Sequence, residues 1–289
     1  MRNSPATATI VVPCYNEARR LDVEEFARYS AEQHDVEFLF VNDGSTDRTQ
    51  HVLDTLHNFA PQMFQVFTMP ENRGKAEAVR QGILTALSGG AEFVGLWDAD
   101  LATPLSAIEP FCEILHRRRD IHLVFGTRIP LRGHDIRRTF VRQKIGNLFS
   151  YLASALVGFR VCDTQCGAKL MRSSTALHYV FEQPFASRWI FDLQILTRLT
   201  RVARTGAIPP VWELLYEYPL EQWQDVAGSK LKGSDFIRAL WELTLIYQQD
   251  MRPGLAAPES PLGRLSLEPL QPKIIRLPLA GQRRGSKAA

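Results

Sequence analysis

Two carboxylates, in Asp98-Ala99-Asp100, close the most apolar short run of the chain, residues 93–97. Side chains alternate along an extended backbone, so both carboxylates point the same way. They can then share a hard cation such as Mg2+ or Mn2+ together with phosphate oxygens. The same tripeptide also suits a solvated turn or a cap leading into Thr103-Pro104. Two further loops bear on the choice. Pro13-Cys14-Tyr15-Asn16-Glu17 follows an apolar run at 9–12, and Asn42-Asp43-Gly44-Ser45-Thr46-Asp47 follows another at 37–41. An aromatic ring such as Tyr15 can stack on a base, and a carboxylate can accept the imide N–H of a uracil. For the second loop a structural role competes, because Asn-Asp-Gly-Ser is a turn sequence and Ser45 or Asp47 can cap the next helix.

A basic stretch is the other chemical feature. Between Arg117 and Lys144 nine basic residues stand against Asp120 and Asp135. Guanidinium forks suit phosphate, and Arg128 in Gly126-Thr127-Arg128 is a candidate. A solvated basic face, or attraction to anionic lipid, explains the same charge. Ile145, Leu148, Phe149, Leu152, Leu156 and Phe159 follow at helical spacing. They read as a core helix or as an apolar platform in a membrane interface. Cys162 and Cys166 have no further Cys/His pair to complete a zinc site and read as structural thiols.

The elements that must position these residues follow from periodicity. Apolar runs at 9–12, 37–41, 65–69, 93–97 and 123–126 alternate with helix patterns at 22–33, 48–59, 74–87 and 105–118. That alternation predicts a parallel sheet. Ligands of such sheets bind beyond the carboxyl ends of the strands, here the loops 13–17, 42–46, 71–75 and 98–103. No G-x-G-x-x-G follows a strand and no phosphate-loop sequence occurs, which argues against a dinucleotide dehydrogenase or a phosphate-loop NTPase. Beyond residue 128 the pattern changes to helices at 142–159, 189–201 and 234–249, with a strand near 211–218. The last helix sets Phe236, Ile237, Leu240, Trp241 and Leu245 on one face.

Composition bounds the rest. The 289 residues, 45% hydrophobic and 22% charged, are enough for one large α/β domain or two smaller ones. The net charge of +3 is uneven: beyond residue 250, seven basic residues face Glu259 and Glu268, leaving residues 1–250 near neutral. A nucleic-acid binder would be more basic over its surface. Six of the seventeen prolines also fall in that last segment, which predicts a flexible tail. Four cysteines make no disulfide scaffold and fit a reducing compartment. No run approaches the roughly 20 apolar residues of a membrane span, and residues 1–17 hold no signal-peptide core. The expectation is a protein that is soluble or rests on a surface.

Taken together the motifs resemble a known family. Pro13/Tyr15/Glu17, Asp43-Gly44-Ser45, Asn72-Arg73-Gly74-Lys75 and Asp98-Ala99-Asp100 are similar in order and spacing to the inverting GT-A glycosyltransferases. That large family includes cellulose, chitin and dolichyl-phosphate sugar synthases. In the second half, Asp163-Thr164-Gln165-Cys166-Gly167-Ala168-Lys169, Arg188-Trp189-Ile190-Phe191-Asp192 and Trp223 followed by Gly228-Ser229-Lys230-Leu231 resemble dolichyl-phosphate β-glucosyltransferases. The resemblance runs from about residue 9 to 247.

It implies an α/β GT-A nucleotide-diphospho-sugar transferase fold, a mostly parallel sheet flanked by helices. Residues 1–250 would form the domain, with a nucleotide-sugar half (1–127) and an acceptor half (128–250). Residues 251–289 would be the Pro-rich basic flexible tail. The implied reaction transfers glucose from UDP-glucose to a polyprenyl or dolichyl phosphate with inversion; a hydroxyl acceptor in polysaccharide or glycolipid synthesis is the rival. Pro13, Tyr15, Glu17 and Asp43 would surround the uridine, with Gly74, Lys75, Trp223 and Lys230 also on the donor side. Asp98 and Asp100 would hold Mg2+ or Mn2+ on the diphosphate. Arg138 and Arg142, four apart and so on one face if that turn is helical, would take the acceptor phosphate with Arg128. Asp192 stands where relatives carry a catalytic base, and sugar binding or a structural role is an equal reading. Ala102 replaces a glutamine frequent in mannosyl relatives, which favours glucose. The implied place is the cytoplasmic, inner face of a membrane, held peripherally through the 145–159 helix, the basic loop and the tail, with no nucleic-acid partner.

Overall fold

Along β1 (Ala8–Cys14) and β2 (Val36–Asn42) apolar side chains occupy both faces. Such strands are stable only inside a sheet covered on both sides. The computed structural model describes residues 7–32, 35–137, 140–224, 233–259 and 264–269. In it these two strands pair in parallel with β3 (Phe64–Thr68) and β4 (Phe93–Leu96). The sheet continues through β5 (Leu123–Thr127), β7 (Lys169–Arg172) and β8 (Leu215–Pro219), in the order β3-β2-β1-β4-β7-β5-β8. A short parallel pair, β6 (Asp135–Arg137) with β9 (Gln222–Gln224), stands apart from it.

All five expected strands are present. What the periodicity did not predict is β7, which enters antiparallel between β4 and β5. Its sequence, Lys-Leu-Met-Arg, has charged ends and no alternation. Burial of both ends depends on partners elsewhere: Asp192 for Lys169, and Glu92 for Arg172. The strand expected near 211–218 also differs. Pro209-Pro210 lead into a single helical turn, α8 (Val211–Leu214), and β8 begins only after it.

Helices cover the two faces. α1 (Val23–Glu32), α2 (Thr49–Phe59) and α4 (Ile108–Arg117) close over Ile10, Val12, Phe38, Phe40 and Phe64. α3 (Lys75–Ser88), α5 (Phe140–Val157), α6 (Thr175–Glu182) and α7 (Phe191–Ala203) close over Val11, Leu39 and Val41. The last helix, α9 (Gly233–Ile246), runs on into a π turn, Tyr247–Met251. Part of the tail departs from the expected flexibility. Ser266 N–H donates to Thr175 Oγ1 at 2.8 Å, Ala176 N–H donates to the Ser266 carbonyl, and Leu265 is buried against α6. Arg201 likewise holds the Ala256 carbonyl. The remaining tail positions, 260–263 and 270–289, lie outside the described residues.

The helix that carries Lys75 lies close on the sheet because of Gly82. A Cβ there would come 2.4 Å from Val11 Cγ1 and 2.9 Å from Val41 Cγ2. Gly82→Ala is therefore expected to lower stability by about 1–3 kcal/mol, the usual cost of overpacking. A denaturation midpoint equal to wild type would contradict this close approach.

Candidate active site

The carboxyl ends of β1, β2 and β4 lie at one edge of the sheet, and the loops leaving them are tied together. Asn16 takes a positive φ of 56°, which asparagine tolerates. Its Oδ1 accepts the Thr46 N–H at 2.9 Å, while its own N–H donates to Ser45 Oγ. Tyr15 stays 45% exposed at this rim, so its ring is open to a ligand. Glu17 lies beneath. Burial pushes its carboxyl up and Arg20, 3.2 Å away, opposes the shift.

Asp43 organises the next loop. Its Oδ1 accepts the Arg73 N–H at 2.7 Å, and its Oδ2 accepts the Gly74 N–H at 2.8 Å and the Asn72 amide at 3.1 Å. Burial still raises its carboxyl above the ordinary range despite those bonds. Gly44 is required beside it: φ is +62°, and a Cβ would meet the Glu71 carbonyl carbon at 2.4 Å. The loop so held delivers Gly74 and Lys75 to the start of α3. Lys75 Nζ pairs with Asp98 Oδ1.

Asp98 and Asp100 leave β4 with side chains 32% and 24% exposed. Burial works against ionising Asp98, but the Lys75 ammonium, with Lys169 and Arg128, holds its carboxyl below the usual range. Asp100 is pushed up by burial and then by Asp98. Arg20 Nη2 reaches its Oδ2 at 3.3 Å, and the Ala102 N–H donates to its Oδ1 at 3.2 Å. Gly167, just before β7, makes room for the pair, since a Cβ there would fall 2.0 Å from Asp98 Oδ2.

Asp192 occupies the first turn of α7 and is 6% exposed. Burial pushes its carboxyl up, opposed by Lys169, whose Nζ lies 2.7 Å from Oδ1, and then by Lys75. Arg128 stands differently from expectation. Its guanidinium is engaged in a fork with Asp163, Nε to Oδ2 at 2.6 Å and Nη2 to Oδ1 at 2.8 Å, and lies 5.1 Å from the Trp223 ring centroid. The motif carboxylate Asp163 thus binds the arginine expected to face phosphate. Arg142 falls in the first turn of α5, its side chain outside the described residues; Arg138 and Lys230 lie outside them altogether. Pro13 is the last residue but one of β1, half-buried beside the fully buried Cys14 that closes the strand.

This is a strand-edge site with paired carboxylates and interposed cations, and comparison with known proteins places it. Residues 9–176 match the family Glycosyl transferase family 2. The chain belongs to that family. It is 31% identical over 253 residues to a dolichyl-phosphate beta-glucosyltransferase of Trichomonas vaginalis, covering 82% of this chain and 72% of that protein. It is 30% identical over 237 residues to the dolichyl-phosphate beta-glucosyltransferase of Homo sapiens, covering 77% and 69%. The fold is similar to glucosyl-3-phosphoglycerate synthase from Mycobacterium tuberculosis in complex with Mn2+, uridine-diphosphate and glucosyl-3-phosphoglycerate. That likeness has a TM-score of 0.60 at 18% identity and covers 86% of this chain and 81% of that one. The GT-A expectation from sequence is the fold found.

In this glycosyltransferase the donor set fits a hard cation. Asp98 and Asp100 offer carboxylate oxygens, partly exposed, and Asp98 is held ionised. Among the described residues no group of three His, Cys, Asp or Glu side chains could hold a metal by itself. Diphosphate or water oxygens would have to complete the shell, the usual arrangement for Mg2+. Sequence reading missed Arg20 as a member of the site, and quoted Asp163, Lys169 and Arg188 within motifs without giving them a role. Arg20 carried a signal, three residues after Glu17. Arg188, whose Cδ and Nε lie 3.4 Å from where a Gly74 Cβ would be, opens the motif that ends at Asp192, and that was its signal.

Gly167→Ala tests this geometry, because the new methyl must displace the Asp98 carboxylate. The variant should fold as wild type but lose Mn2+-dependent UDP binding by about tenfold or more, the scale of a charged contact. Calorimetric titration giving an unchanged Kd would contradict the placement of Asp98.

Proposed function

We propose that the chain transfers glucose from UDP-glucose to a polyprenyl or dolichyl phosphate with inversion at the anomeric carbon. The observation that carries this reading is the Asp98/Asp100 pair at the carboxyl edge of the sheet. Identity to dolichyl-phosphate beta-glucosyltransferases, extending over both halves of the chain, supports it. Tyr15 would stack on the uracil, with Pro13, Glu17 and Asp43 shaping its loop. Gly74, Lys75, Trp223 and Lys230 would complete the donor side. Asp98 and Asp100 would hold Mg2+ or Mn2+, which when bound supplies Lewis-acid neutralisation of the departing diphosphate. Lys75 would add positive charge beside it.

On the acceptor side, Arg138 and Arg142 would grip the phosphate. Arg128, already forked with Asp163, would act by holding the wall of the site. A phosphate monoester has its second pKa near 6 and arrives largely ionised. The attacking oxygen then needs positioning and screening more than deprotonation, and Asp192 would serve the sugar rather than act as a base. No helix among the described residues is long and apolar enough to cross a membrane. Exposed Leu148 and Tyr151 on α5, next to the basic stretch, favour peripheral contact at an inner membrane face.

Labelled UDP-glucose, Mn2+ and polyprenyl phosphate should give an organic-extractable, acid-labile glucolipid that requires both metal and lipid phosphate. Replacing Arg138 and Arg142 together with alanine should cut this transfer by about 100-fold, the scale of two lost charged contacts, and leave UDP binding unchanged. Undiminished transfer by that variant would refute the phosphate assignment. Transfer only to a hydroxyl acceptor would return Asp192 to the role of base.

A further inference from the structure

Lys169 opens β7 in the middle of the sheet, paired in register with Leu96 on one side and Phe125 on the other, and no solvent reaches it. Its ammonium lies 2.7 Å from Asp192 Oδ1, donates to the Cys166 carbonyl and stands 5.1 Å from the Phe125 ring centroid. A buried ion pair is no better for stability than well-packed apolar side chains of the same volume, and often worse. The reason for this one therefore lies elsewhere, and its position supplies it. Leu96 is two residues before Asp98, so β7 sets Lys169 directly behind the carboxylate pair. Asp192 is also attracted by Lys75, which is paired with Asp98. Charges thus alternate from the sheet edge inward: Asp98, Lys75, Asp192, Lys169. Of these four, Lys169 is the one fully shielded from solvent, and two oxygens fix it.

We propose that Lys169 is a positioning residue: it anchors Asp192 through Oδ1 so that the other carboxylate oxygen accepts a hydroxyl of the hexose carried by the donor. This deepens the reading of Asp192 as a sugar-binding group and rests on the UDP-glucose assignment. Lys169 touches no substrate; it acts through Asp192.

The test compares the affinities of UDP and UDP-glucose, with Mn2+, by calorimetry for wild type, Lys169→Met, Asp192→Asn and the double variant. UDP affinity should stay within about threefold throughout, since no uridine or diphosphate contact changes and Lys75, the larger influence on Asp98, stays in place. The ratio of UDP-glucose to UDP affinity should fall about tenfold in each single variant. It should fall no further in the double, because both act through one contact. A wild-type ratio in Lys169→Met, with only a lower Tm, would overturn the proposal. If Lys169→Met fails to fold, the double variant decides, since it strands no buried charge. A double variant with the wild-type ratio overturns the proposal and one with the collapsed ratio supports it. The readout needs no acceptor. Wild type that binds UDP-glucose but glucosylates no lipid phosphate would refute the acceptor assignment and leave this test standing.

Discussion

Three carboxylates, Asp98, Asp100 and Asp192, are drawn toward one edge of the sheet, where like charges repel and each would tend to take up a proton. Cations set among them make the arrangement tenable. Lys75 meets Asp98, Arg20 meets Asp100 and Lys169 meets Asp192. The balance is uneven: Asp98 is held below the usual carboxyl range, while burial keeps Asp100 and Asp192 above it. Much of the local architecture serves this pairing. Gly82 lets α3 approach the sheet with Lys75 at its start, β7 carries Lys169 into the sheet centre, and Gly167 clears space for Asp98.

Around that electrostatic centre the loops are fixed by hydrogen bonds that use side chains of the candidate site as scaffolding. Asp43 binds three donors of the 72–74 segment before any ligand arrives. Asn16 ties the first loop to the second, leaving the Tyr15 ring exposed. Opposite, the Arg128–Asp163 fork, with the guanidinium over the Trp223 ring, ties the end of β5 to the segment that leads into β7. Loops held in this way approach a ligand already ordered, which reduces the entropic cost of binding.

Most of this was legible in the sequence. The five apolar runs announced strands buried on both faces, and the chemistry-bearing residues fell in the loops that follow them. Three features were hidden for physical reasons. β7 is four residues long with charged ends, and only Asp192, 23 positions later, makes its lysine buriable. Arg128 read as an open phosphate ligand because nothing local reveals that Asp163 lies beside it. Leu265 and Ser266 sit in a proline-rich stretch without periodicity, and their docking on α6 depends on a surface built from distant residues. In each case the missing information was a partner far along the chain, which periodicity cannot supply.

The central claim is that the Asp98/Asp100 pair joins the protein to a cation-bound nucleoside diphosphate. Electron paramagnetic resonance of Mn2+ tests it directly, because protein-bound Mn2+ loses the sharp signal of the free ion. Wild type with UDP should quench that signal in a one-to-one complex, and Asp98→Asn or Asp100→Asn should leave most of the ion free at the same concentrations. Equal quenching by wild type and both variants would contradict the account, since the cation would then be held without the two carboxylates.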